Sequence, residues 1–251
     1  LGYDTAWTNH MRGLTVDLME RVDWDGVERA IDLTCGTGFA TGLIADKCGG
    51  EVTGVDRSAG MLEQARQNYG ERCEFVQSDI LEYLKGVESG SVELVSCCWG
   101  LGYSRPLAVM RQIGRVLKKG GQAVIIDNSL FSLREVLWCS FLAFMERPEK
   151  LENVMGFKFL PGRGWLNVFM RLSGLKSEWS VNGSKSYFVN SGAEAIERLR
   201  ATGAAAGFEY ACGQDDQEEI FERFGQRIES KYKKEGKIEI VHRYLVGIGV
   251  K

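Results

Sequence analysis

The residues with the most chemistry in them are three acids, Asp32, Asp56 and Asp79, each placed where a short apolar run gives way to polar residues. Asp32 is followed by Leu33-Thr34-Cys35-Gly36-Thr37-Gly38. Two glycines at that spacing let the backbone turn sharply and let a ligand approach the main chain, and the helix expected from Phe39 presents unpaired N–H groups at its start. Asp56 ends Glu51-Val52-Thr53-Gly54-Val55-Asp56, about 20 residues past the turn, where the dinucleotide-binding pattern puts the carboxylate that takes ribose hydroxyls. Asp79, in Gln77-Ser78-Asp79-Ile80, is placed to accept from an adenine amino group, with Ile80 packing on the ring.

These acids select the kind of nucleotide. A pyrophosphate site expects G-x-G-x-x-G, but the last position of that pattern is Thr41 here, and the charge of Asp32 opposes a phosphate. S-adenosylmethionine carries an ammonium, a sulfonium and a carboxylate on one short arm. A carboxylate beside free backbone N–H groups therefore complements it better than it complements NAD. Aromatic faces stabilise a sulfonium, and Tyr3, Trp7, Trp99 and Tyr103 can supply them.

Such residues meet only if a parallel sheet gathers them. Short apolar runs at 30–33, Glu51–Asp56, 73–76, Val92–Cys98 and 122–127 predict its first five strands, with the ligand beyond their carboxyl ends, near the reversal of strand order. Ser58 caps a helix through Met61, Leu62 and Ala65 that ends at Gly70. Val16, Leu18, Met19 and Val22 predict a helix before the first strand. The pattern breaks over 131–190, which is rich in Phe and Trp and holds a helix-like piece at 133–145. It resumes with a helix capped by Ser191, a strand at 207–210, a charged helix at 216–234 and a last strand at 238–248.

In this order the segments resemble the class I S-adenosylmethionine-dependent methyltransferases, from Ala30 to Asp127. Asp32 to Gly38 looks like the first motif of that family, with Thr34 standing where glycine is usual, which asks for a compatible backbone conformation. Asp56, with Arg57 beside it, matches the ribose-binding acid, and Ser78-Asp79-Ile80 the adenine-contacting turn. Cys97, Cys98 and Trp99 fall on the fourth motif. Arg115 to Gly121 resembles the helix end and double-glycine turn before the fifth strand. Tyr3-Asp4 followed by Ala6-Trp7 looks like the start of ubiquinone- and menaquinone-type members, where this region folds over the cofactor.

The resemblance implies an α/β fold, a Rossmann-like seven-stranded mostly parallel sheet with helices on both faces, its seventh strand antiparallel and a helical lid inserted after strand 5. It implies one methyltransferase domain over 1–251, a cofactor-covering helix in 1–25 and a substrate lid at 131–190. S-adenosylmethionine is then the methyl donor and S-adenosylhomocysteine the product. Its expected contacts are Tyr3, Trp7, Asp32, Thr34, Gly36, Gly38, Asp56, Arg57, Met61, Ser78, Asp79, Ile80, Cys97 and Trp99.

Other features narrow the acceptor. Family members that methylate nucleobase amines or certain protein amides usually carry Asp or Asn, two prolines and an aromatic residue at the fourth motif, whereas this chain has Ser96-Cys97-Cys98-Trp99. With a net charge of -3, nucleic acid is disfavoured as a partner and a small molecule expected. The seven cysteines lack metal-ligand spacing, so no metal is expected, and reduced thiols point to the cytoplasm. No stretch is long and apolar enough to span a bilayer. The aromatic content of 131–190 favours an apolar or aromatic acceptor methylated on oxygen or carbon, with Tyr103, Trp165 and Tyr187 as contacts. If the acceptor is a hydroxyl it needs a base, for which His10 and Asp127 are candidates, while His242 reads as a structural or surface residue of the last strand. An RNA or protein methyltransferase on the same fold, or a non-catalytic S-adenosylmethionine-binding protein, is the alternative.

Overall fold

In the computed structural model, which describes residues 5–154, 156–201 and 209–251, strands and helices alternate as the apolar pattern requires. The first half runs α1 (Thr5–Met19), β1 (Arg29–Leu33), α2 (Phe39–Ala45), β2 (Glu51–Asp56), α3 (Ala59–Tyr69), β3 (Glu74–Gln77), α4 (Ile80–Gly86), β4 (Val92–Cys98), α5 (Pro106–Val116) and β5 (Leu117–Asn128). The second half runs α6 (Arg134–Glu146), α7 (Arg163–Leu172), β6 (Lys176–Val189), α8 (Gly192–Ala201), α9 (Gln217–Tyr232), β7 (Lys233–Lys234) and β8 (Lys237–Val250). The sheet is ordered β3-β2-β1-β4-β5-β8-β6, and the two-residue β7 pairs with β8 off that path. β1 to β5 pair in parallel and β8 lies antiparallel to β5. The order reverses between β1 and β4, where ligands gather in open α/β sheets.

By internal packing the chain forms two compact units. One, the α/β unit, holds Arg12–Leu130, Phe157–Gly183 and Tyr244–Lys251. Its strands are buried on both faces, and alternate residues serve separate cores. Ile31, Leu33, Val95, Cys97 and Ile125 pack with Leu84 of α4, Met110 and Ile113 of α5 and Leu166 and Met170 of α7. Ala30, Leu94, Val124 and Ile126 pack on the other face with Leu18 and Met19 of α1, Ile44 of α2 and Leu62 of α3. Asp32, one residue before Leu33, faces this second side.

The other unit holds Leu1–Met11, Phe131–Gly156 and Ser184–Arg243. Val136 and Cys139 of α6, Ile196 and Leu199 of α8, and Phe224 and Ile228 of α9 form its core. A Cβ on Gly192 would collide with the Gly225 carbonyl, so glycine is what lets α8 and α9 approach. Segment 131–190 is shared out: α6 belongs to this helical unit, α7 to the α/β unit, and β6 runs from one into the other.

Two local expectations are corrected. A strand was expected at 207–210, but Glu209 is helical, Tyr210 is in a turn, and Gly207 and Phe208 lie outside the described residues. The strand next to β8 is instead β6, from inside the expected insertion. Its positions Ser177, Trp179, Gly183, Tyr187 and Val189 are among the more buried ones, separated by largely exposed residues, as in half-buried edge strands. The double glycine, expected as a turn before the fifth strand, is a bulge within β5: Val92 pairs with Leu117 but Leu94 with Gln122, and Gly120 bends the chain at φ +84°.

Leu94 is fully buried in the central strand. Leu94→Ala is therefore expected to cost about 2–5 kcal/mol of unfolding free energy, read from urea denaturation.

Candidate functional site

The last residue of β1, Leu33, registers with Cys97, one residue before the end of β4, and the residues just beyond the two strands break the backbone rule together. Thr34 sits at φ +58° and Trp99 at φ +65°. A left-handed conformation costs a residue with a Cβ about 1–2 kcal/mol, and such strain gathers at ligand sites. The glycine usual at position 34 would adopt it freely, so Thr34 does meet the backbone demand that its presence raised. Its hydroxyl lies 2.5 Å from the Leu33 carbonyl and 3.3 Å from that of Cys98. Its side chain also fills the space over Gly100, where any Cβ would collide with it.

The glycine turn has an open side and a tight side. Gly36, at φ +55°, has nothing within 4 Å of where a Cβ would stand. Its N–H donates to Asp56 Oδ2 at 2.9 Å, so the acid ending β2 is drawn to the turn. Gly38, at φ +86°, is tight: a Cβ there would lie 2.9 Å from the Tyr69 ring of α3. Oδ1 of Asp56 accepts from the Ser58 N–H at 2.9 Å, and Ser58 caps α3 by accepting from the Met61 N–H. Arg57 is exposed and Met61 half-buried. Asp79 caps α4, its Oδ1 accepting from Leu81 and Glu82 at 2.9 and 3.3 Å, which leaves Oδ2 its lone pairs. Ser78 Oγ donates to the Asp79 carbonyl, and Ile80 is buried in the core below.

Asp32 is placed differently from its sequence reading. It is 0% exposed, and its two oxygens accept from Ser96 Oγ at 2.5 Å and Thr41 Oγ1 at 2.7 Å. Burial outweighs those bonds and raises its pKa from the ordinary 3.8 to about 6. It thus ties β1, β4 and α2 together from beneath the turn. Cys97 and Cys98 are buried, and burial pushes both thiols up, so neither is a nucleophile at neutral pH.

On the other side of the switch point, a 3-10 turn, Leu101–Tyr103, presents Tyr103, 47% exposed and edge-on to Phe159 at 5.1 Å. Asp127, 3% exposed, holds that turn: it accepts from the Gly102 N–H at 2.6 Å and the Asn128 N–H at 2.8 Å. Burial raises its pKa to about 7. From the amino-terminal side, α1 sets the Arg12 guanidinium 4.8 Å from the Phe39 ring and the Thr15 hydroxyl 3.0 Å from Trp99 Nε1. Tyr3 and the Trp7 side chain lie outside the described residues.

The remaining candidates are divided. Trp165 is exposed on α7 of the α/β unit. His10 and Tyr187 belong to the helical unit, where their rings are 6.2 Å apart and His10 is 5.6 Å from His242. Burial, aided by Lys185, lowers the pKa of His10 to about 4, and burial that of His242 to about 3, so both are neutral at pH 7.

Comparison with known proteins bears on this geometry. Residues 30–121 match the family described as a methyltransferase domain. Demethylmenaquinone methyltransferase of Lactococcus lactis is 37% identical over 106 residues, 39% of this chain and 41% of that protein. The chain thus aligns with about two fifths of the length of that curated relative. Among solved structures, the YcgJ protein of Bacillus subtilis superposes with a TM-score of 0.63 at 15% identity, covering 97% of this chain and 98% of that one. A geranyl diphosphate methyltransferase in complex with SAM gives 0.58 at 16% identity, over 95% and 84%.

The fold is that of the class I methyltransferases. Within it, sequence reasoning overlooked Ser96, Thr41, Thr15, Gly102 and Phe159. Small hydroxyl residues have no signature of their own, and Ser96 is identifiable only once the register sets it opposite Asp32. Among the described residues no group of three metal-binding side chains occurs, and no helix is long and apolar enough to cross a membrane.

Two outcomes follow for the methyltransferase fold. Gly38→Ala pays the left-handed penalty and the Tyr69 contact while Gly36→Ala pays only the first, so the Gly38 variant should show the lower urea midpoint. Asp127, with a folded pKa near 7 against about 3.9 unfolded, binds more protons when folded, so its contribution favours the fold below pH 4 and is lost as pH rises through 7. His10 and His242 act oppositely, costing stability as pH falls from about 6.5 towards 4. Asp127→Asn should leave the histidines opposed by Asp32 alone, whose pKa is likewise raised, and so lower the urea midpoint at pH 5 relative to that at pH 8 compared with the unaltered chain. An unchanged difference would mean that Asp127 titrates normally.

Proposed function

We propose that this chain is an S-adenosylmethionine-dependent methyltransferase acting on a small, apolar or aromatic acceptor, with transfer to oxygen or carbon. The observation that carries the reading is the open space over Gly36, whose N–H donates to the Asp56 carboxylate, at a switch point where Thr34 and Trp99 just beyond β1 and β4 are both strained. Those groups fit the donor: Asp56 for the ribose hydroxyls, the Oδ2 of Asp79 for an adenine amino group, main-chain N–H groups of the turn for the carboxylate, and the Trp99 ring for the sulfonium. When bound, the donor supplies an electrophilic methyl group whose sulfur leaves as a neutral thioether.

The protein's part is to orient and to exclude water, and positioning alone can supply about 7–11 kcal/mol of a barrier. Asp32 holds the turn, and Asp127, with both oxygens on backbone N–H groups, serves as a positioning residue for Tyr103 rather than as a base. Tyr103, against Phe159, is our candidate for the acceptor wall. His10 remains a candidate by residue type: it is neutral at pH 7 and so able to accept a proton, but its pKa near 4 makes it a weak base. Tyr187 joins it as a candidate contact, and residues 131–190 as a candidate lid. The name of the Lactococcus lactis relative supports a quinol-type ring as acceptor, with substrate bound mainly by apolar and aromatic surface.

Calorimetry tests the donor: S-adenosylhomocysteine should bind and NADH should not, while binding of neither would sink the proposal. Asp56→Ala removes acceptors of ribose hydrogen bonds worth about 1.5–3 kcal/mol each to a charged group, so S-adenosylhomocysteine affinity should fall at least tenfold. Methyl transfer from labelled donor to a demethylmenaquinol analogue, read by mass spectrometry, tests the acceptor; transfer only to RNA or protein would overturn it.

A further inference from the structure

Residues 157–177 contain Lys158, Arg163, Arg171 and Lys176 and no acid, in a chain whose 34 acids outnumber its 31 Lys and Arg. Residues 101–116, which include α5, carry Arg105, Arg111 and Arg115 and again no acid. α5 packs against α7 within the α/β unit, so these acid-free segments lie together. Among the described residues Arg105, Lys158, Arg163 and Arg171 form no ion pair, whereas eight arginines elsewhere in the chain do.

α7 between them is apolar over too wide an arc for its burial. At 100° per residue its apolar positions cover roughly 200°. Leu166 and Met170 use one side of that arc and are fully buried, while Trp165, Val168 and Leu172 occupy the other and are 53%, 41% and 54% exposed. Beside them Phe169, Leu160, Arg105 and Lys158 line a cleft of about 300 Å³ that includes the first turn of α5. A basic helix with an exposed Trp, Val and Leu stripe has the composition of one that lies in a lipid interface, its cations at the headgroups.

We propose that α7 and the start of α5 form a docking face for an anionic lipid bilayer. Trp165, Val168 and Leu172 enter the headgroup–acyl boundary, and Arg105, Lys158, Arg163 and Arg171 meet lipid phosphates. Charge complementarity selects this occupant. A second copy docking the same face by a two-fold axis would set like charges against each other. Nucleic acid would meet the cations but give Val168 and Leu172 nothing to pack on. The face stands independently of the methyl acceptor, since it involves no residue of the glycine turn.

Sedimentation of the full chain with vesicles tests it. Vesicles of equal phosphatidylglycerol and phosphatidylcholine should carry the protein down, pure phosphatidylcholine at least tenfold less, and added salt should weaken the first. Val168→Ser with Leu172→Ser, and separately Arg105→Gln with Lys158→Gln, should each lower the partition about tenfold with thermal melting unchanged, since all four positions lie at the surface. Should a variant fail to fold, acyl-brominated phosphatidylglycerol must quench tryptophan emission of the unaltered chain. The proposal is overturned by absence of sedimentation, by partition that ignores lipid charge, by no quenching, or by binding to oligouridylate RNA that exceeds vesicle binding and is untouched by the Val168 and Leu172 changes.

Discussion

A carboxylate sealed from water holds this architecture in register at its working edge. Asp32, the one polar residue in the buried part of β1, is gripped by Ser96 from β4 and Thr41 from α2. Burying a charge without partners is prohibitive, so the hydroxyls are a condition of folding rather than an ornament. Because the grip spans the point where strand order reverses, it fixes the spacing between β1 and β4, and with it the places of Thr34, Gly36 and Trp99. The open space at the turn depends on a residue that never reaches it.

Much of this was legible in the amino-acid order. Strands β1 to β5 announce themselves as apolar runs, since both faces of a parallel sheet are buried. Ser58 and Asp79 announce helix starts, and Gly36 and Gly38 a turn that no side chain could make. Asp56 ends β2 and reaches the Gly36 N–H, as the nearly fixed length of a β-α-β unit leads one to expect. What escaped were contacts that exist only across the sheet: Asp32 could be read as an acid near a ligand, but not as an acid beneath it, because Ser96 is 64 residues away.

Edge elements were the harder case. β6 is exposed along most of its length, so its hydrophobic content is thin and reads as part of an irregular insertion. The segment between Phe131 and Val189 could not be parcelled from composition, because aromatic residues there serve different ends. Phe144 is buried, Phe159 leans on the turn that carries Tyr103, and Trp165 is displayed. Only burial separates these uses, and burial is a property of the fold. The overall charge of -3 likewise averaged away a local excess of cations that neighbouring helices bring together.

The left-handed Thr34 has a consequence that reaches beyond its own strain. Its side chain takes the room over Gly100, so the two positions are coupled: while threonine occupies 34, residue 100 is confined to glycine, and only a chain with glycine at 34 would be free to place a methyl group at 100. One volume at the working edge of the fold can thus be filled from the segment after β1 or from the one after β4. Which segment fills it sets the local shape of the crevice, a choice that drifting sequences could make only by changing both positions in step.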